Sequence, residues 1–130
     1  MHSLFVYGTL MYPERIKHLL GRCPDALSAS LPGYARFLVR NATYPGIITA
    51  AGARTDGKIY LNLTDTELRR LDQYESDLYD RCLLSPQLDA GRTCEAWVYV
   101  IPEHHRHHLS EAPWDPITWR PKNLPNPNTN

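Results

Sequence analysis

A small single α+β domain is the architecture this sequence predicts, and three observations carry the prediction. Residues 57–63 alternate apolar with polar side chains, Ile59, Leu61 and Leu63 falling on one side, as in a half-buried strand. Thr64-Asp65-Thr66-Glu67 is a capping box that opens a helix directly afterwards. The chain has 130 residues, 42% of them hydrophobic, which suffices for one core at a common domain size.

The remaining elements follow in order. Residues 3–7 form an apolar run too short for a helix and read as a buried strand, after which Gly8-Thr9-Leu10 turns the chain. Pro13 suits a first helical position, and Ile16, Leu19 and Leu20 recur at helical spacing until Gly21 stops the helix. Residues 26–31 and 34–40 read as strands broken at Pro32-Gly33. Tyr44-Pro45-Gly46 reads as a second turn before the apolar run 47–51. Beyond the capping box, Leu63 and Leu68 occupy the positions of a hydrophobic staple. Leu68, Leu71 and Glu75 then fall at i, i+3 and i+7 on one helix face, whereas Glu67, Arg69, Arg70 and Gln73 point elsewhere. Residues 79–88 and 93–101 complete the strands as a hairpin turning near Asp89-Ala90-Gly91. The domain spans residues 1–120, and residues 121–130, rich in Pro and Asn, form a loose tail.

Composition excludes several classes. Fourteen Lys plus Arg balance fourteen Asp plus Glu, and no basic block is interleaved with aromatics, so neither nucleic acid nor an anionic membrane is an expected partner. The N-terminus has no basic segment followed by an apolar stretch, and no run approaches the roughly 20 apolar residues that span a bilayer. A soluble, cytoplasmic protein is expected. Cys23, Cys82 and Cys94 are odd in number and lack metal-ligand spacing. With the hairpin turning where it does, Cys94 opposes a residue near Gln87 rather than Cys82, so free thiols are expected. In His104-His105-Arg106-His107-His108, His104 shares a helix face with His107 or His108, as Zn²⁺ ligands would. No acidic or Cys ligand stands at a fitting spacing, so this stretch reads as a solvated segment and no metal is predicted. No nucleophile elbow is present, and Cys23 precedes Pro24 in a connecting segment.

Two features carry chemistry. The turn after the first strand, Tyr7-Gly8-Thr9-Leu10, can offer backbone N–H groups to an anion, and Gly8 permits a positive φ and close approach of a ligand. Glu75 places a carboxylate on the apolar stripe of its helix, where desolvation raises a carboxyl pKa from about 4.3 toward a value useful for a base at neutral pH. An anion cradle and a buried acid/base together point to an enzyme.

Tyr7-Gly8-Thr9-Leu10, Tyr44-Pro45-Gly46-Ile47, Gly57-Lys58-Ile59-Tyr60, Leu71-Asp72-Gln73-Tyr74-Glu75, Tyr79-Asp80-Arg81 and Ala96-Trp97-Val98-Tyr99 occur in order at suitable separations. As an ordered set they resemble the gamma-glutamylcyclotransferase-like family, particularly its short branch that includes the plant avirulence-induced proteins. The resemblance covers roughly residues 3–120. It implies a compact mixed β-barrel flanked by short helices, with a cavity at the loop after the first strand. The implied reaction converts a gamma-glutamyl amine or peptide to 5-oxoproline and a free amine, with no metal or organic cofactor. In that reading Glu75 is the general acid/base. Tyr7, Gly8, Thr9 and Leu10 bind substrate, Tyr79 adds a phenolic hydrogen bond, and Tyr44, Pro45 and Gly46 close the rim. Trp97 is expected in the core, and Arg81, on the same strand face as Tyr79, beside an acidic group. A noncatalytic module binding a small metabolite or a partner through the same cavity is the alternative, and a His-rich metal-binding protein a third reading. The leaving amine and the oligomeric state are not legible in the sequence.

Overall fold

The computed structural model describes residues 1–75 and 77–114. Its regular elements are β1 (His2–Val6), α1 (Pro13–Leu20), β2 (Ala26–Val39), β3 (Pro45–Leu63), α2 (Asp65–Glu75), β4 (Asp80–Leu84), β5 (Ala96–Val100) and β6 (Leu109–Pro113). Short 3₁₀ turns cover Thr9–Met11, Asp89–Gly91 and Glu103–His108. The fold is α+β: one six-stranded mixed sheet in the order β4-β5-β1-β3-β2-β6, with α1 and α2 packed against it.

β1 is central, antiparallel to β3 and parallel to β5, which explains its unbroken apolar run. Its side chains alternate between two cores. Leu4 and Val6 face the cluster that includes Ile16, Leu20, Leu68 and Leu71 of the helices. Phe5 and the adjoining Tyr7 face a second cluster with Ile47, Ile59 and Val98. α1 begins on Pro13 at its first turn and ends at Gly21, whose φ of 79° is the left-handed conformation glycine supplies at a helix C-terminus.

Two expected breaks are absent. Residues 26–31 and 34–39 are parts of one 14-residue strand, which Pro32-Gly33 does not end: Gly33 has a φ of 83°, and the pairing slips there from Pro32 opposite Arg54 to Tyr34 opposite Thr49, so the extra residues of the bulge, 50–53, lie in β3. Tyr44-Pro45-Gly46 is not a turn. The chain reverses earlier, around Asn41 with a φ of 58°, and Val39 N–H donates to Tyr44 O at 3.0 Å. Pro45 and Gly46 already belong to β3, which runs unbroken for 19 residues to Leu63. A proline is tolerated at the first residue of a strand, so a Pro-Gly pair does not exclude pairing there.

The barrel expected from the resemblance is not closed. The sheet retains two edges, β4 and β6, with no ladder between them among the described residues. It nevertheless curls, because β2, though remote from β4 in the strand order, exchanges two main-chain hydrogen bonds at Ser30 with Gln87, just beyond β4. Ile101 N–H also donates to Ile47 O at 2.9 Å. Full closure fails because β6 pairs only with the second half of β2, beyond the bulge.

The capping box at α2 forms as the sequence reads: Glu67 N–H donates to Thr64 Oγ1 at 3.1 Å, and Thr64 N–H donates to Glu67 Oε1 at 3.0 Å. Glu67 was expected to point away from the core, yet it is buried, because both carboxylate oxygens accept from Arg22, at 2.7 and 2.8 Å. The Arg22 hydrogen bonds hold the Glu67 carboxyl down at about 2. Its folded-state pKa lies below the unfolded value of about 4.3, so its stabilising effect is present above that value and is lost as pH falls toward 2. Glu67→Gln is expected to cost about 1 kcal/mol at pH 7, small because Arg22 is half exposed. Urea melts should show this deficit shrinking between about pH 4.3 and pH 2; a pH-independent deficit would assign the effect to the cap alone.

The thiols of Cys23, Cys82 and Cys94 are free; Cys82 pairs with Val98, and Cys94 N–H donates to Pro86 O, next to Gln87. Trp97 is only partly buried, its ring 4.5 Å from the Arg81 guanidinium, and Arg81 does pair with an acid, Asp72. The 121–130 tail lies outside the described residues.

Candidate active site

One cavity, of about 190 Å³, opens where β1 ends. Its walls come from Phe5, Val6 and Tyr7 through Leu10, from Tyr44 and Pro45, from Tyr74 and Glu75 at the end of α2, and from Tyr79 and Tyr99. Of the sequence-derived site residues, Tyr7, Gly8, Thr9, Leu10, Tyr44, Pro45, Glu75 and Tyr79 are thus gathered around one space. Gly46 is not among the lining residues. It is buried with its Cα against the next layer, where a Cβ would lie 2.5 Å from Ile101 Cγ1, so its glycine serves packing.

The loop after β1 is fixed from below. Tyr60 Oη donates to Leu10 O at 2.6 Å, Arg36 Nη1 to Tyr7 O at 2.7 Å, and Met11 N–H to Gly8 O at 3.0 Å. The N–H groups of Gly8, Thr9 and Leu10 have no partner among the described residues. Gly8 does not need a positive φ, as the sequence suggested: its φ is −126°. Glycine is required there by proximity, since a Cβ would lie 2.9 Å from Pro45 Cγ across the cavity mouth.

The tyrosines of the wall have defined polarity. Tyr7 donates to Tyr99 O at 2.5 Å, and Tyr79 donates to Pro45 O at 2.8 Å. Burial pushes both phenols well above the usual tyrosine range, so each remains neutral with its single proton committed to the main chain. The expected phenolic hydrogen bonds from Tyr7 and Tyr79 are therefore limited to accepting ones. Tyr99 likewise donates to Asp72 Oδ1 at 2.7 Å.

Glu75 ends α2 on the cavity wall, partly accessible through it, and its carboxyl makes no hydrogen bond to any described residue. Burial, and secondarily the charge of Asp72, pushes it up to about 8. Asp72 lies one helical turn earlier and is clamped by Arg81 and Tyr99. Asp72→Asn removes the like charge and leaves the Arg81 cation uncompensated. Both changes act in one direction, and a carboxyl-carbon NMR titration is expected to place Glu75 below its wild-type value of about 8. An unmoved Glu75 titration would show that desolvation acts alone.

Sequence reasoning missed Phe5, Val6, Tyr74 and Tyr99 in the wall and Asp72 behind it. Asp72 carried a readable signal, its i, i+3 spacing to Glu75. Tyr99 reaches the site only because β5 pairs in parallel with β1, which no local pattern announces. His104–His108 form a surface 3₁₀ turn, and no three His, Cys, Asp or Glu side chains converge as metal ligands among the described residues. No described helix is long and apolar enough to cross a membrane.

The cavity thus brings together a strand-end loop whose N–H groups have no partner among the described residues and a desolvated carboxyl. Residues 4–116 match the family of gamma-glutamyl cyclotransferase, AIG2-like proteins, and the chain belongs to that family. AIG2-like protein C of Arabidopsis thaliana is 36% identical over 120 residues, covering 92% of this chain and 69% of that protein. AIG2-like protein D of the same plant is 43% identical over 81 residues, 62% of this chain; the match spans about half of that relative, 53%. Among solved structures, the solution structure of an Arabidopsis thaliana protein superposes with a TM-score of 0.76 at 28% identity, over 92% of this chain and 80% of that one. A crystal structure of an aig2-like protein from Mus musculus, 21% identical with a TM-score of 0.67 over 88% of each chain, shows the shared fold.

Proposed function

We propose that this protein cyclises a gamma-glutamyl amine or peptide to 5-oxoproline and a free amine, with Glu75 as general acid and base. The observation that carries the reading is the Glu75 carboxyl itself, desolvated to about 8, without a hydrogen-bond partner among the described residues, and sharing a cavity with the N–H groups of Gly8, Thr9 and Leu10, likewise unpartnered among them. A structural carboxylate is paired or solvated; one left unpaired in a cavity is available to a ligand.

The substrate carries nucleophile and electrophile in one molecule, so the site needs chiefly to fold it and to stabilise charge. The neutral α-amine attacks the γ-carbonyl carbon and sheds one proton to the Glu75 carboxylate as the C–N bond of the ring forms. The oxyanion receives N–H groups of the Gly8 to Leu10 loop. Glu75 then returns its proton to the departing nitrogen as the original amide C–N bond breaks. Tyr7 and Tyr79, with only acceptor capacity left, suit the N–H bonds of the incoming amine.

The test is 5-oxoproline release from a panel of gamma-glutamyl amines, amino acids and dipeptides. Release is expected to rise with pH toward about 8 as Glu75 ionises, and the accepted substrate identifies the leaving group. Absence of release from the whole panel would replace the cyclotransferase reading with a noncatalytic binding module.

A further inference from the structure

Arg15 is the one buried cation of α1, 7% exposed, and no carboxylate among the described residues lies within ion-pair distance of it. Burying an uncompensated guanidinium is costly, and an apolar side chain at that position would be more stable. Its Nη1 instead donates to Tyr74 Oη at 3.0 Å, and Tyr74 lines the cavity. Because a guanidinium only donates, Tyr74 Oη accepts from Arg15 and its own proton points to some other acceptor. Thr9 Oγ1 is 3.5 Å away, well beyond a normal O–H···O distance, and it too lines the cavity.

The polarity is thus opposite to that of Tyr7, Tyr79 and Tyr99. Tyr7, Tyr79 and Tyr99 donate their O–H groups to Tyr99 O, Pro45 O and Asp72 Oδ1. Tyr74 has a proton to give and a positive charge behind it. Two hydroxyls 3.5 Å apart can both donate to a single anionic oxygen placed between them.

We infer that Tyr74, positioned by Arg15 and aided by Thr9, is a specificity-determining donor that holds a carboxylate of the ligand. The identity of that carboxylate, the acid group of the gamma-glutamyl moiety, rests on the proposed function; the anion preference itself rests on the side-chain geometry. Arg15 acts through Tyr74 and is a positioning residue.

The experiment compares binding of 5-oxoproline with binding of its primary carboxamide, by calorimetry, in the wild type, Tyr74→Phe and Arg15→Met. The wild type is expected to prefer the acid, and Tyr74→Phe, which removes one oxygen and no volume from the wall, to lose about tenfold or more of that preference. Arg15→Met should lose preference in the same direction while a folded NMR spectrum and an unchanged Glu75 titration exclude general damage. Equal binding of acid and amide by the wild type, binding of neither, or full preference in Tyr74→Phe overturns the inference. Kinetics separate the two readings. Tyr74-dependent acid preference without 5-oxoproline release from any substrate leaves this inference standing and removes the enzymatic one. Release with an unchanged KM in Tyr74→Phe does the reverse.

Discussion

Glu75→Gln is expected to lower 5-oxoproline release by two to four orders of magnitude, the usual range for a lost general acid/base, while making the protein more stable above neutral pH. The amide keeps the shape and hydrogen-bonding capacity of the carboxyl but neither accepts nor returns a proton. The stability gain follows from the same desolvation. Folding raises the Glu75 pKa from about 4.3 to about 8, so the protonated form is the one the fold accommodates. Its stabilising effect is complete below about pH 4.3 and is lost as pH rises through about 8. A residue that never ionises escapes that loss, and Glu75→Gln should exceed the wild type by roughly 1–2 kcal/mol at pH 9 and by almost nothing at pH 4. Chemical melts at the two pH values, alongside turnover, test both halves. Undiminished release would make another group the base; an advantage over the wild type no larger at pH 9 than at pH 4 would show that Glu75 is solvated.

The second large effect lies away from the chemistry. Gly57→Ala is expected to destabilise the fold by about 3 kcal/mol or more and to lower the melting temperature by roughly 10 °C. A Cβ at Gly57 would lie 2.1 Å from Val6 O and 2.9 Å from Phe5 Cζ. The nearer atom is backbone in the central strand, held by ladders on both sides, so it cannot swing aside as a side-chain tip can. Relief requires β1 to part from β3 immediately before the Tyr7 to Leu10 loop. A melting temperature within a few degrees of wild type would show that the β1–β3 contact yields.

Much of this was legible in the chain. The cap at Thr64, the Pro13 and Gly21 boundaries of α1 and the stripe from Leu68 to Glu75 are local patterns, and local patterns survive into the fold. What failed was punctuation by proline and glycine. Pro32-Gly33 and Pro45-Gly46 look like interruptions, yet a bulge absorbs the first and a strand start the second. Gly8 was read for conformational freedom and Gly46 as part of a turn at the rim, whereas each is glycine because a neighbour comes too close, Pro45 in one case and Ile101 in the other. Such neighbours are remote in sequence. Arg15 and Tyr74 were silent for the same reason, being 59 positions apart on two helices that meet only in the folded protein.

β3 has a consequence for how this cavity can change. At its first residue Pro45 accepts from Tyr79, and near its last turn of ladder Tyr60 grips Leu10. Both jambs of the opening are therefore carried on one rail, a single strand whose ladder to β2 shifts register between Thr49 and Arg54. Tyr44 alone stands off the rail, 40% exposed on the preceding turn. Variation in what the mouth admits is thereby channelled into residues 40–44, a collar that can be exchanged while the vessel beneath it stays rigid.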